Sequence, residues 1–259
     1  MIMKTFKILA IGNSFSVDAM EYLFRVAESA GEKNIVLGNL YIPGCSLDIH
    51  WGNMLTHANV YQYYKNTDGR WNSTMWQTLA HTLEDEDWDV ITFQQASGYS
   101  GKPETYSHLK ELVDYVIENK KEHTKLFWHM TWAYQGDSSH YHFKFYDRDQ
   151  MTMYRCICES VKTQVLPLGC FEGVIPCGTT IQNMRTGSLG DTLTCDGFHM
   201  SRPIGRLATA VTYYCAITGF PADKIKCNLT GLVNRKIMAE IRSSVDAALK
   251  NNFEVTPLK

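Results

Sequence analysis

Three short stretches of the 259-residue chain carry residue types that do chemistry together: "GNSFS" around Ser14, "PGCS" around Gly44 and "CDGFHMS" around Asp196 and His199. A serine hydroxyl becomes a useful nucleophile only when a base takes its proton, and that base needs a partner to fix its tautomer. Of the nine histidines, His199 stands three residues after Asp196 in a glycine-containing segment. One turn there can set the carboxylate against one ring nitrogen and leave the other facing Ser14. The tetrahedral oxyanion formed by such an attack needs N–H donors, which the Ser14 and Gly44 backbones and a side-chain amide in "FQQASG" could supply. That amide belongs to Gln95 or Gln94; neighbours on a strand point to opposite faces, so the sequence leaves the choice open.

Each residue also has a plainer role. Serine favours helix starts, Asp196-Gly197 reads as a turn, Gly44 closes a strand-ending turn, and the glutamines suit a polar strand end. Their joint occurrence, in the order and positions one site would need, is what favours chemistry. A phosphate loop at "GNSFS" lacks the Gly-Lys-Ser/Thr ending such loops need. His129, His140 and His142 are loosely spaced with no cysteine or carboxylate completing a set, so neither a metal nor another cofactor is expected. Tyr99, Trp132, Tyr134 and Gln135 follow the third and fourth strands, and aromatic faces beside amides suit a sugar ring or a small acyl ester. Trp128 and Trp132 read equally well as packing residues. Gly178, Thr179 and Gln182 either shape a pocket wall or begin a helix.

The elements that must position these residues alternate along the chain. "FKILAIGN", "NIVLGNLYI", "WDVITFQQ", "KLFWHMTW" and "GVIPCG" are apolar runs bounded by turn signals and read as five strands. Amphipathic spacing predicts helices over Asp18–Ala30, Trp76–Glu84, Pro103–Asn119, His142–Val165, Ser201–Thr218 and Leu232–Lys250. Aromatic-rich halves around Asp68-Gly69 predict a small hairpin insertion near 60–75. Strands alternating with helices imply an α/β fold with a mostly parallel sheet covered on both sides. No composition shift or linker divides the chain, so residues 1–259 read as one domain. Ligands of such sheets bind beyond the carboxyl ends of the strands, where Ser14, Gly44, Gln94 to Ser97 and Trp132 should gather.

Composition narrows the classes further. With 44% hydrophobic and 20% charged residues a sizeable core is expected. A net charge of −2 without a basic stripe argues against nucleic acid as a partner. No apolar run reaches the roughly 18 residues of a membrane span. The polar turn at Gly12-Asn13 comes too soon after the first apolar run for a signal peptide, so the expected location is cytoplasmic, or periplasmic or secreted if a leader precedes this sequence. Of eight cysteines, several sit inside apolar patterns, and reduced thiols are expected.

Taken together, the blocks "GNSFS", "PGCSLDIHW", "FQQAS", "WAY" and "DGFHMS" resemble those of the SGNH (GDSL-type) hydrolases, and in particular an SGNH-like subgroup common in gut bacteria. The resemblance runs from about Lys7 to Phe220. It implies a flavodoxin-like three-layer α/β/α fold and a metal-independent serine esterase or acetylesterase acting on a small-molecule or carbohydrate ester. Carried across by position, it implies Ser14 as nucleophile, His199 as general base and acid, Asp196 as its orienting carboxylate, and Gly44 as an oxyanion donor. Two departures stand out. Asn13 replaces the family's Asp after the first glycine. "FQQASG" stands where the family has Gly-x-Asn-Asp, which leaves Gln95 or Gln94 to supply the amide. A carbohydrate-binding protein that keeps this fold without the chemistry is the competing reading, motivated by that second departure.

Overall fold

The computed structural model describes residues 5–32 and 34–258. Its strands follow in chain order as β1 (Phe6–Gly12), β2 (Ile35–Tyr41), β3 (Tyr61–Asn66), β4 (Trp71–Gln77), β5 (Val90–Phe93), β6 (Lys125–His129) and β7 (Gly173–Ile175). They form one seven-stranded sheet in the order β4-β3-β2-β1-β5-β6-β7. The five strands read from the apolar runs are all present and pair in parallel. The expected count of five nevertheless falls short. The hairpin is not a separate insertion: β3 pairs antiparallel with β2, and β4 with β3, so the sheet gains two edge strands. Tyr61 and Tyr63 alternate inward from β3 and are buried, whereas β4 is mostly exposed. The turn chemistry was readable, but nothing local told the hairpin which strand it would join.

The helices are α1 (Ser14–Met20), α2 (Leu23–Ser29), α3 (Leu47–Leu55), α4 (Leu79–Glu84), α5 (Leu109–Asn119), α6 (Gln150–Ser160), α7 (Cys177–Arg185), α8 (Ile204–Thr218) and α9 (Arg235–Lys250). α1, α2, α7, α8 and α9 pack together as one layer, and α3, α4 and α5 as another. Between them β1 and β5 are buried runs of Ile, Leu, Ala, Val and Phe, as strands covered on both faces must be. The helix expected over Asp18–Ala30 starts four residues earlier and divides at Glu21-Tyr22. The one expected over His142–Val165 is interrupted because Asp147 and Arg148 both take left-handed backbone, with φ of 54° and 53°. α3 was not expected; the Ser46 side chain caps it by accepting from the Ile49 N–H.

From β1 the chain moves outward to β2 and later returns to the other side of β1 as β5. That reversal opens a crevice at the carboxyl end of β1, the place where open α/β sheets bind ligands. Ser14 is the second residue beyond it.

Candidate active site

The turn after β1 answers whether Ser14 merely caps a helix. Asn13 is the cap: its backbone is extended and its Oδ1 accepts the Phe15 N–H at 3.0 Å. Ser14 is therefore the first helical residue, half-buried, with a hydroxyl not spent on the backbone. The turn is tight enough to need Gly12, where an added Cβ would sit 2.5 Å from Ser16 Oγ. The Ser16 hydroxyl lies 2.7 Å from Asn13 O and 2.9 Å from Asn39 Oδ1 on β2, which seats the start of α1 on the sheet.

His199 arrives from the segment before α8. Its Nε2 is 2.9 Å from Ser14 Oγ, and its Nδ1 is 2.7 Å from Asp196 Oδ2. The other Asp196 oxygen accepts the backbone N–H groups of His199 at 2.8 Å and Phe198 at 3.1 Å. Partial burial pushes the Asp196 carboxyl up, but the His199 ring and these two N–H groups outweigh it and hold the group below its ordinary value. An ionised Asp196 requires the proton on Nδ1 and leaves Nε2 free to accept from Ser14.

Four contacts fix the loop that carries this pair. Trp132 Nε1 donates to Phe198 O at 2.7 Å, and Gln135 N donates to Gly197 O at 2.8 Å. Met200 N donates to Asp18 Oδ2 at 2.7 Å, and Arg206 on α8 pairs with Asp18 Oδ1 at 2.6 Å. Asp18 stands one turn beyond Ser14, so the helix that presents the Ser14 hydroxyl also anchors the residue next to His199. Burial pushes the Asp18 carboxyl up to about 6, against the lowering pull of Arg206 and the Met200 N–H. Phe15 stacks on Trp132 with ring centroids 4.2 Å apart, closing the contact between the two halves of the site.

Gly44, after β2, takes the left-handed conformation with φ of 62°. Among the described residues, neither the Gly44 nor the Ser14 backbone N–H meets an acceptor. Asn13 Nδ2 donates to Cys45 O at 3.0 Å and ties the Gly44 turn to the Ser14 turn.

The amides after β5 are placed otherwise than expected. Gln95 Nε2 donates to Thr105 O at 2.8 Å and Thr105 Oγ1 at 3.1 Å, while its Oε1 accepts from Leu47 N and Ala96 N. Both of its N–H groups are spent on Thr105, while its oxygen holds the start of α3 through Leu47 N, so Gln95 has no donor left for an oxyanion. Gln94 Nε2 donates to Asn13 Oδ1 at 2.7 Å, and its Oε1 faces His129 Nδ1 at 2.8 Å. That oxygen can only accept, so His129 carries its proton on Nδ1. Burial drives the His129 pKa down to about 3 and keeps the ring neutral. A buried relay thus runs from β6 through Gln94 and Asn13 to the Gly44 turn.

Two of the residues expected to bind substrate are corrected by their burial. Trp132 and Tyr134 are both 0% exposed: the first holds the Phe198 carbonyl, and the second bonds Ser97 Oγ at 2.8 Å. Gln135 is half-buried and receives the Thr194 hydroxyl at 2.6 Å, so it braces the His199 loop. Tyr99 is half-buried, its ring packed 4.8 Å from that of His142. The tethering roles of Asn13, Asp18, Arg206 and the Gln94–His129 pair went unread in the sequence, because they depend on contacts up to 188 positions apart. A cavity of about 540 Å³ bordered by Phe6, Asp89 and Lys125 opens at the opposite edge, where strands begin. None of the expected site residues line it.

The family model for the domain of unknown function DUF4886 matches residues 7–237. The chain belongs to the DUF4886 family. A DUF4886 protein from Bacteroides uniformis has a crystal structure that superposes with a TM-score of 0.94 at 38% identity, covering 98% of each chain. Beyond DUF4886, the fold is that of the SGNH hydrolases. A provisionally assigned SGNH hydrolase from Slackia heliotrinireducens matches with a TM-score of 0.50 at 17% identity, over 81% of this chain and 97% of its own. An acetylxylan esterase from Geobacillus stearothermophilus matches with a TM-score of 0.54 at 11% identity, over 88% of this chain and 98% of its own. Among curated proteins no sequence match was found. Among the described residues, no helix of this DUF4886 chain is long and apolar enough to cross a membrane.

Proposed function

We propose that the protein is a serine hydrolase that cleaves an ester through an acyl-Ser14 intermediate. The observation that carries this reading is the continuous line Ser14 Oγ, His199 Nε2, His199 Nδ1, Asp196 Oδ2, with spacings of 2.9 and 2.7 Å. His199 takes the Ser14 proton as Oγ bonds to the ester carbonyl carbon. The Ser14 and Gly44 N–H groups receive the negative oxygen, and Asp196 stabilises the imidazolium. His199 then passes its proton to the departing alcohol, and the tetrahedral centre collapses to the acyl-serine. Water attacks that ester with His199 again as base, which releases the carboxylic acid and restores the serine.

The substrate proposed is an O-acetyl group on a carbohydrate, the class named for the acetylxylan esterase that shares the fold. The test is hydrolysis of p-nitrophenyl acetate by the wild type and Ser14→Ala. A rate that survives the substitution would remove Ser14 from the reaction.

One feature favours the second reading, a carbohydrate-binding protein without chemistry. Gln95 is engaged elsewhere and Gln94 Nε2 already serves Asn13, which leaves two backbone donors for the oxyanion, and each missing donor is typically worth about 3 kcal/mol. The 2.9 Å contact between Ser14 and His199 weighs against it, since a binding protein has no need to keep that geometry.

A further inference from the structure

Helix α1 carries a second feature on the stripe that begins with Ser14. Val17 and Glu21, three and seven residues further on, lie on the same side of the helix and line a cavity of about 190 Å³. Its floor is Asn39 on β2 and Tyr64 on β3, directly paired across the strands, with Trp71 from β4 beside them. Arg202 and Arg206 complete the wall, three and seven residues past His199.

The polar groups here are unevenly spent. Asn39 is only 1% exposed and its Oδ1 faces the Ser16 hydroxyl. Its Nδ2 makes no hydrogen bond among the described residues, and it is not one of the fully enclosed unpartnered atoms, so it keeps contact with open space. Arg202 uses only Nε, on the two Glu21 oxygens at 2.6 and 2.9 Å, so its terminal N–H groups are free among the described residues. Both Glu21 oxygens are engaged by Arg202 and Arg206, and Arg206 also turns one nitrogen to Asp18 and another to Met200 O. What the cavity still offers is therefore N–H donors and two aromatic rings. A complementary ligand brings oxygen acceptors and a flat C–H face, which is the description of a pyranose. The volume lies below the roughly 300–1,000 Å³ of pockets for drug-sized ligands and suits a single ring.

We propose that this cavity is a subsite for one sugar ring of the substrate's carbohydrate part, held by Asn39 Nδ2 and Arg202 and faced by Trp71 and Tyr64. The purpose assigned to the sugar rests on the ester-hydrolase reading; the binding itself does not.

The test is saturation-transfer NMR with methyl β-D-xylopyranoside and methyl β-D-glucopyranoside on the wild type, Trp71→Ala and Arg202→Ala, with sodium acetate as competitor. The expected result is transfer to the ring protons of at least one glycoside. Affinity should fall about tenfold or more in Trp71→Ala and severalfold in Arg202→Ala, and acetate should not displace the sugar. Arg202 is largely exposed, with 64% of its side chain accessible, so its variant keeps the fold; should Trp71→Ala unfold, Trp71→Phe is expected to retain binding. Absence of transfer with both glycosides, equal affinity in all variants, or displacement by acetate, which marks a simple anion site, would overturn the subsite. Ester hydrolysis indifferent to Ser14→Ala, with sugar binding intact, would overturn the hydrolase reading and leave the subsite standing.

Discussion

Gln94→Met separates two roles that the sequence allowed for this residue. In the structure Gln94 is 2% exposed and joins His129 to Asn13 through contacts of 2.8 and 2.7 Å. Methionine fills nearly the same space but can neither accept from His129 nor donate to Asn13. The His129 N–H is then buried without a partner, beside an Nε2 that already has none. Stranding such a donor and losing two buried hydrogen bonds should cost about 2–4 kcal/mol of stability. Asn13 keeps its bonds to Phe15 N and Cys45 O, so the Gly44 turn stays aimed at Ser14. The rate constant kcat/KM on p-nitrophenyl acetate should therefore fall less than about tenfold. An oxyanion donor behaves in the opposite way, with a loss of about 10²–10³ in rate and little change in stability. Urea unfolding and steady-state kinetics on the same preparations decide between them. A hundredfold loss of rate with an unchanged unfolding midpoint would refute the relay and make Gln94 the missing donor.

Three further outcomes follow from the same geometry. Asp196→Asn removes the acceptor that fixes the Nδ1 proton of His199; kcat should fall by about 10²–10⁴ while the unfolding midpoint moves little, measured with p-nitrophenyl acetate and urea. Gly12→Ala places a methyl group against Ser16 Oγ and Cβ and should unseat the start of α1, with loss of both stability and rate read in the same two assays. Asp18 has a folded pKa of about 6 against 3.8 in the unfolded chain, so the folded state binds its proton more tightly. Its contribution to stability is thus greatest below about pH 4 and is lost as pH rises to about 6; the difference in unfolding midpoint between wild type and Asp18→Asn, followed across that range, should show this slope.

Much of the candidate site was legible because it depends on local patterns. The buried strands are continuous apolar runs, Ser14 and His199 lie in short blocks with turn residues beside them, and Asp196 is close enough in sequence to be paired with His199 by a single turn. Pairings between distant segments were not legible. The antiparallel match of Leu37 with Asn66, which adds the hairpin to the sheet, has no local signature. Gln94 and Gln95 are equivalent on paper and differ only because β5 turns one toward Asn13 and the other toward Thr105. Trp132 and Tyr134 carry the composition of a sugar platform, yet packing against Phe15, Phe198 and Phe143 buries both. Trp71 lay in the hairpin, where only its pairing with β3 brings it beside Tyr64 and Arg202.

The most direct test of the account is covalent. A fluorophosphonate ester should phosphonylate the protein once, on the tryptic peptide that contains Ser14, as read by mass spectrometry, and His199→Ala should slow that labelling by several orders of magnitude. Labelling confined to another residue, or labelling of Ser14 at the same rate without the imidazole, would contradict it.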